Sequence, residues 1–197
     1  MTELSPWLYR FVGHVAAPGA TRRMRAVLEQ WRELHPPPGR CLDVGCGTDS
    51  WLRLLDIRPL GVDLDARRVA AFARRHGRAV QAPATALPFA DGTFDSVWSF
   101  GLLHHLPDHE ARLAVAEMRR VTRAGGCTVV FDAVLPRVAW HRPVASVLRR
   151  LDRGHWMRTQ ESLEAVLAPF GDWERKRLTY ALTGLEGLLC TQCQGRP

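Results

Sequence analysis

Cys41-Leu42-Asp43-Val44-Gly45-Cys46-Gly47-Thr48 is the stretch on which the fold turns. Its apolar start predicts a short strand, Cys41–Val44, which ends in a Gly-x-Gly turn and leads into a helix expected over Ser50–Leu55. Glycine has no Cβ, so the backbone there can approach a ligand closely, and the first N–H groups of the helix are free to bind it. Spacing adds more. Asp63 follows Gly45 by 18 positions, at the end of a second predicted strand, Leu60–Val62, where a carboxylate can accept hydrogen bonds from ribose hydroxyls. Asp43 stands two residues before Gly45, where nicotinamide-binding turns usually have an apolar side chain. The sixth position counted from Gly45 is Ser50, so the dinucleotide pattern G-x-G-x-x-G fails. The turn suits a nucleoside clasped by acidic residues, not a pyrophosphate.

Outward from the turn, strand and helix alternate. Asp65 is placed to N-cap a helix running to His76, with Val69 and Phe72 on its inner face. Strands are expected at Ala79–Ala82 and, after the Asp91-Gly92 turn, at Phe94–Phe100. A helix over Asp108–Thr122 shows Leu113, Ala116, Met118 and Val121 as apolar positions, with Gly125-Gly126 as its stop. Cys127–Val134 is the most β-prone run. After the short helix Gln160–Leu167, Trp173–Leu182 and Leu185–Cys193 read as strands joined at Thr183-Gly184. Repeated β-α-β units imply an α/β fold: a mainly parallel seven-stranded sheet, helices on both faces, and a C-terminal antiparallel hairpin.

Pro36-Pro37-Pro38-Gly39 divides the chain into an N-terminal helical arm, residues 1–38, and a body, residues 39–197, within a single domain overall. In the arm, Met24, Val27, Leu28, Trp31 and Leu34 form a helical stripe. The aromatic run at 6–12 suits a lid over a binding site, with Trp7 and Tyr9 on its underside. The composition, 46% hydrophobic and 24% charged, is that of a globular protein and excludes a disordered chain. No apolar run is long enough to span a membrane and the N-terminus lacks a secretion signal, so a cytoplasmic protein is expected. The net charge is +7, but Lys176 is the single lysine among 27 basic residues, and the arginines are dispersed. They read as solvated helix faces, which makes nucleic acid an unlikely partner.

Five blocks in order give a resemblance: LDVGCGT at 42–48, GVDLD at 61–65, ALPFADGTFDSVWS at 86–99, LLHHLPD at 102–108 and EMRRVTRAGG at 117–126. From Arg40 to Val134 the chain resembles a class I S-adenosylmethionine-dependent methyltransferase of the type 11, small-molecule group. The resemblance implies a Rossmann-like fold and S-adenosyl-L-methionine as cofactor. It implies that Asp43, Gly45, Cys46 and Gly47 hold the methionyl part, and that Asp63 and Leu64 lie at the nucleoside. Ala84, Thr85 and Leu87 would lie at the adenine, and Phe100 and Gly101 against the methionine moiety. Two departures stand out. Asp49 replaces the family's third glycine, where a residue tolerant of left-handed backbone would keep the turn. Pro83 replaces the acidic residue that usually meets the adenine amino group, leaving Thr85 or Gln81 as substitutes.

His105, His104 and Asp132 are the catalytic candidates. The histidines follow the fourth strand at the carboxyl edge of the sheet, and an imidazole, with an ordinary pKa of about 6.5, suits proton removal near neutral pH. Trp7, Tyr9, Trp140 and His141 are the substrate-binding candidates. No metal site is expected: Cys190 and Cys193 form a lone C-x-x-C, and Cys41, Cys46 and Cys127 read as small core residues. The expected function is methyl transfer to a small molecule by in-line displacement. The alternatives are an RNA or other nucleic-acid methyltransferase and a non-catalytic S-adenosylmethionine-binding protein. Against the first alternative, Phe100-Gly101-Leu102-Leu103 stands where amino-directed DNA enzymes have Asn-Pro-Pro-aromatic. The oligomeric state is not legible.

Overall fold

A computed structural model describes residues 19–136, 155–179 and 185–195. Seven strands form one sheet in the order β3-β2-β1-β4-β5-β7-β6. They are β1 (Cys41–Val44), β2 (Leu60–Asp63), β3 (Ala79–Gln81), β4 (Phe94–Phe100), β5 (Thr122–Val134), β6 (Glu174–Thr179) and β7 (Glu186–Cys193). Strands β1 to β5 pair in parallel; β7 runs antiparallel to both β5 and β6. The α-helices among the described residues are α1 (Ala20–Leu34), α2 (Ala66–His76), α3 (Asp108–Val121) and α4 (Gln160–Leu167). The strand order reverses between β1 and β4, the crevice where ligands bind in open α/β sheets. No helix among the described residues is long and apolar enough to cross a membrane.

Side chains alternate across the sheet, and each face has its own core. On one face Leu42, Val44, Val97 and Val130 pack against α3 and α4. On the other, Cys41, Trp98 and Val129 pack against Met24, Val27, Leu28 and Trp31 of α1. Trp31 meets Trp98 edge-on with ring centroids 4.5 Å apart, and its Nε1 donates to Thr191 Oγ1 at 3.1 Å. Leu34, at the end of the expected stripe, is exposed. Helix α2 covers the β2–β3 end, with Phe72 buried over Gly61 and Val69 half-buried. Asp65 caps it, accepting from the N–H groups of Arg67 and Arg68.

Four expectations are corrected. Residues Trp51–Leu55 form a 3₁₀ turn, with Ser50 as its cap, not an α-helix. The β1–β2 crossover is short, and Asp56 closes the turn in left-handed backbone. In α3 the buried face is Ala111, Ala114, Val115, Met118 and Val121, while Leu113 and Ala116 face solvent. Alanines let the helix approach the sheet closely, and they set its rotation more than the larger leucine does. The helix ends at Thr122, whose Oγ1 donates to Met118 O at 2.7 Å, and β5 begins in the same residue. Gly125 and Gly126 lie inside that strand at an irregularity, where a Cβ on Gly126 would sit 2.5 Å from Asp95 O. Finally, Cys127 is not a free core thiol: it is disulfide-bonded to Cys193 across β5 and β7. Cys190 stays a free, buried thiol, and burial pushes its pKa up to about 12. The Thr183-Gly184 link lies outside the described residues.

The disulfide joins positions separated by 66 residues. A closed loop of that length restricts the unfolded chain, typically by about 2–4 kcal/mol. Cys193→Ser should lower the urea midpoint accordingly and raise the m-value, because the unfolded chain becomes less compact, and dithiothreitol should reproduce the effect in the parent protein.

Candidate active site

The Gly-x-Gly turn is held by the neighbouring strand. The N–H groups of Gly45 and Cys46 both donate to Val62 O, at 2.8 and 3.0 Å. Gly45 and Gly47 have φ of 70° and 58°, the left-handed region that favours glycine. A Cβ on Gly45 would strike Leu102 at 2.8 Å, whereas one on Gly47 would meet nothing within 4 Å. The open space above Gly47 is what a backbone cradle for a ligand requires. Cys46 contributes its backbone. Its buried thiol is pushed well above the usual range, by burial first and then by the charges of Asp43 and Asp63.

Asp63 closes the turn from the side. Its Oδ2 accepts from Gly47 N at 2.9 Å and its Oδ1 from Asp65 N at 3.0 Å. Each oxygen keeps a further lone pair for a ribose hydroxyl. Leu64, next along, is an exposed apolar side chain, and Gln81 Nε2 donates to its carbonyl at 3.0 Å. Ala84 and Thr85 are half-buried nearby in sequence. Leu87 behaves otherwise: its side chain belongs to the core, and its N–H donates to Glu117 Oε2 at 2.7 Å.

Asp43 is fully buried. Ser50 Oγ donates to its Oδ2 at 2.5 Å, while its Oδ1 has no partner. Burial is the first cause that pushes its pKa up, to about 7; the Ser50 hydrogen bond opposes this, and the charges of Asp49 and Asp63 add to it. Ser99 Oγ, opposite Val44 in the register, is a second buried and unpartnered oxygen. An orphaned buried acceptor at the end of β1 fits a ligand that brings its own donor, such as the amino group of a methionyl moiety. These residues therefore fit S-adenosyl-L-methionine.

Asp49 does not take left-handed backbone, contrary to expectation. Its carboxylate accepts from His76 Nε2 and Arg75 Nη1, both at 3.0 Å, and lies 3.2 Å from Arg53 Nε. Burial opposes its ionisation, but His76 and the two arginines outweigh it and hold its pKa below the usual carboxylate range. Its charge is thus met by cationic partners in a polar groove lined also by Asp56 and Arg58.

At the end of β4, Phe100 stacks on Trp98, and Gly101, with φ of 72°, donates its N–H to Phe131 O at 2.8 Å. The 3₁₀ turn Leu103–His105 follows. His104 is buried and bonded to Asp132 twice: its N–H reaches Oδ2 at 3.0 Å, and its Nδ1 meets Oδ1. His105 is exposed, its ring 4.1 Å from that of His104. The structure therefore joins His104, not His105, to Asp132. Trp7, Tyr9, Trp140 and His141 lie outside the described residues. Ser50 and Ser99 were missed by sequence reasoning, since a lone serine carries no signal until its neighbour is known.

This sheet order, with the acid-flanked glycine turn at its switch point, is the Rossmann-like fold that class I S-adenosylmethionine-dependent methyltransferases share. Residues 42–130 match the family described as "Methyltransferase domain". It is 36% identical over 143 residues to a demethylmenaquinone methyltransferase of Renibacterium salmoninarum, covering 69% of this chain and 58% of the relative. It is 27% identical over 142 residues to a probable tRNA methyltransferase 9B of Mus musculus, covering 66% of this chain and 32% of the relative. The chain thus spans little more than half of one relative and a third of the other. A solved structure with the same fold is phosphoethanolamine N-methyltransferase 2 of Haemonchus contortus in complex with S-adenosyl-L-methionine. Its TM-score is 0.69 at 15% identity, over 91% of this chain and 54% of that one.

Asp63→Ala should weaken S-adenosylhomocysteine binding by roughly ten- to hundredfold in calorimetry, the loss of a charge-assisted hydrogen bond contributing about 1.5–3 kcal/mol. Asp43 predicts a pH effect. Between about pH 4 and 7 the folded state holds a proton that the unfolded chain has released, so its contribution to stability falls as pH rises. A cationic amino group beside Oδ1 favours the ionised form, so S-adenosylhomocysteine should bind more tightly as pH rises through about 7. Asp43→Asn should flatten that dependence; an unchanged slope would remove Asp43 from the methionyl subsite.

Proposed function

We propose that the protein transfers a methyl group from S-adenosylmethionine to a small-molecule acceptor, with His104 as general base and Asp132 as the carboxylate that orients it. The buried His104–Asp132 pair carries this reading. With Nδ1 committed to Asp132, the remaining ring nitrogen, Nε2, has no protein partner among the described residues. That is the arrangement of an imidazole oriented for proton transfer. S-adenosylmethionine, when bound, supplies a methyl group already activated on a sulfonium. Asp43, Gly45 and Gly47 hold the methionyl end and Asp63 the ribose. Gly101 takes the left-handed backbone that leads into the His104 turn. His104 would take the proton that the acceptor loses when its nucleophilic atom displaces the thioether sulfur from the methyl carbon. Alignment of the two reactants contributes roughly 7–11 kcal/mol of barrier lowering in such reactions.

The small-molecule reading draws on where the arginines go. Arg120 pairs with Glu117 and Asp91, Arg123 with Asp95, Arg158 with Asp108, and Arg53 and Arg75 with Asp49. These five arginines are committed to carboxylates of the chain itself and are not available to a phosphate backbone. The demethylmenaquinone relative supports the same class, while the tRNA relative motivates the second reading, an RNA acceptor.

Methyl-labelled S-adenosylmethionine should be offered with demethylmenaquinol, phosphoethanolamine and total tRNA in parallel, followed by a metabolite extract. Label in a small molecule and none in tRNA is the expected result; label in tRNA alone would overturn the acceptor class. With the accepted substrate, His104→Gln should lower turnover about 10²–10⁴-fold while S-adenosylhomocysteine still binds. Wild-type turnover in that variant would remove the base.

A further inference from the structure

We infer that Arg158 is the positioning residue for His104, an inference that rests on the reading of His104 as base. Arg158 lies beyond the family match, in the segment that returns to the sheet after β5, and it is only 6% exposed. A guanidinium is costly to bury unless its donors are satisfied. Here they are spent on one turn. Nη1 donates to Leu103 O at 2.6 Å and Nη2 to Leu106 O at 2.7 Å, the carbonyls at either end of the His104–His105 turn. Nε and Nη2 both reach Asp108 Oδ1, at 2.9 and 2.7 Å, where α3 begins.

The same segment holds the other partner. Arg158 bridges to Val134, two residues beyond Asp132, and its carbonyl accepts from Leu135 N at 2.9 Å. Trp156 N donates to His104 O at 3.0 Å. One three-residue stretch therefore grips the backbone of His104, both flanks of its turn, and the strand end that carries Asp132. Arg158 touches neither ring nor carboxylate. It fixes the spacing between the two elements on which they sit. A planar fork with parallel donors can span two carbonyls and a carboxylate at once, which a lysine cannot.

The test needs no acceptor. In proton NMR at low temperature, a hydrogen-bonded imidazole N–H of His104 should appear far downfield, assigned by its loss in His104→Gln. It should vanish in Arg158→Leu and weaken in Arg158→Lys, while S-adenosylhomocysteine affinity, set at β1 and β2, stays at the wild-type value. If Arg158→Leu does not fold, Arg158→Lys and Asp108→Asn decide. A resonance as sharp as wild type in the folded variants overturns the inference. The two readings fail separately. Unchanged methyl transfer in His104→Gln would sink the base alone, whereas loss of the resonance in the Arg158 variants would still establish positioning.

Discussion

Two backbone N–H groups share one acceptor, Val62 O, and the cofactor side of this protein depends on that contact. It bends the chain leaving β1 towards the end of β2 and so commits Gly45 and Gly47 to left-handed backbone. With the turn held there, Asp63 can reach Gly47 N, and Ser50 can reach back to Asp43. Any side chain at Gly45 would have to displace Leu102, from the connection that carries the histidine turn. The glycine turn and the histidine turn are thus packed against each other, where β1 and β4 end.

The two halves of the site are built differently. The cofactor half is made by sequence-local pieces: a turn, a strand end, a capped helix. Its polar groups are buried and partly unsatisfied, as Asp43 Oδ1 and Ser99 Oγ show, which is a cost tolerated where a ligand completes the hydrogen bonding. The half that holds the histidine turn is made by long-range contacts. His104 and Asp132 are 28 residues apart, and Arg158 joins them from further along the chain. Such a pair exists only once β4 and β5 are in register, because the parallel pairing of Phe100 with Phe131 puts Asp132 level with the turn.

Where sequence reasoning erred, side-chain size was a poor guide to rotation and termination. Leu113 is the larger apolar group, yet Ala111 and Ala114 face the sheet, because helix α3 lies close against β4 and β5. Gly125-Gly126 has the look of a helix stop, but a threonine hydroxyl closes the helix first. Gly126 answers a steric demand, since the Asp95 carbonyl leaves no room for a Cβ, and Gly125 takes left-handed backbone. Cys127 and Cys193 carry no mark that distinguishes them from Cys41 and Cys190; only the β5–β7 register makes them opposite.

By itself the sequence determined the alternation of strands and helices, the position of β4 to the residue, the cap at Asp65, the glycine turn and its acidic partner. All of these follow from local patterns: periodicity, turn chemistry and spacing along one β-α-β unit. Tertiary structure alone decided which histidine meets Asp132, which cationic partners meet the charge of Asp49, which of many arginines is buried, and which cysteines bond. Each of these depends on two segments that are distant in the chain and adjacent in the sheet. A pairing of that kind is set by strand register and helix rotation, and neither is encoded within a single motif.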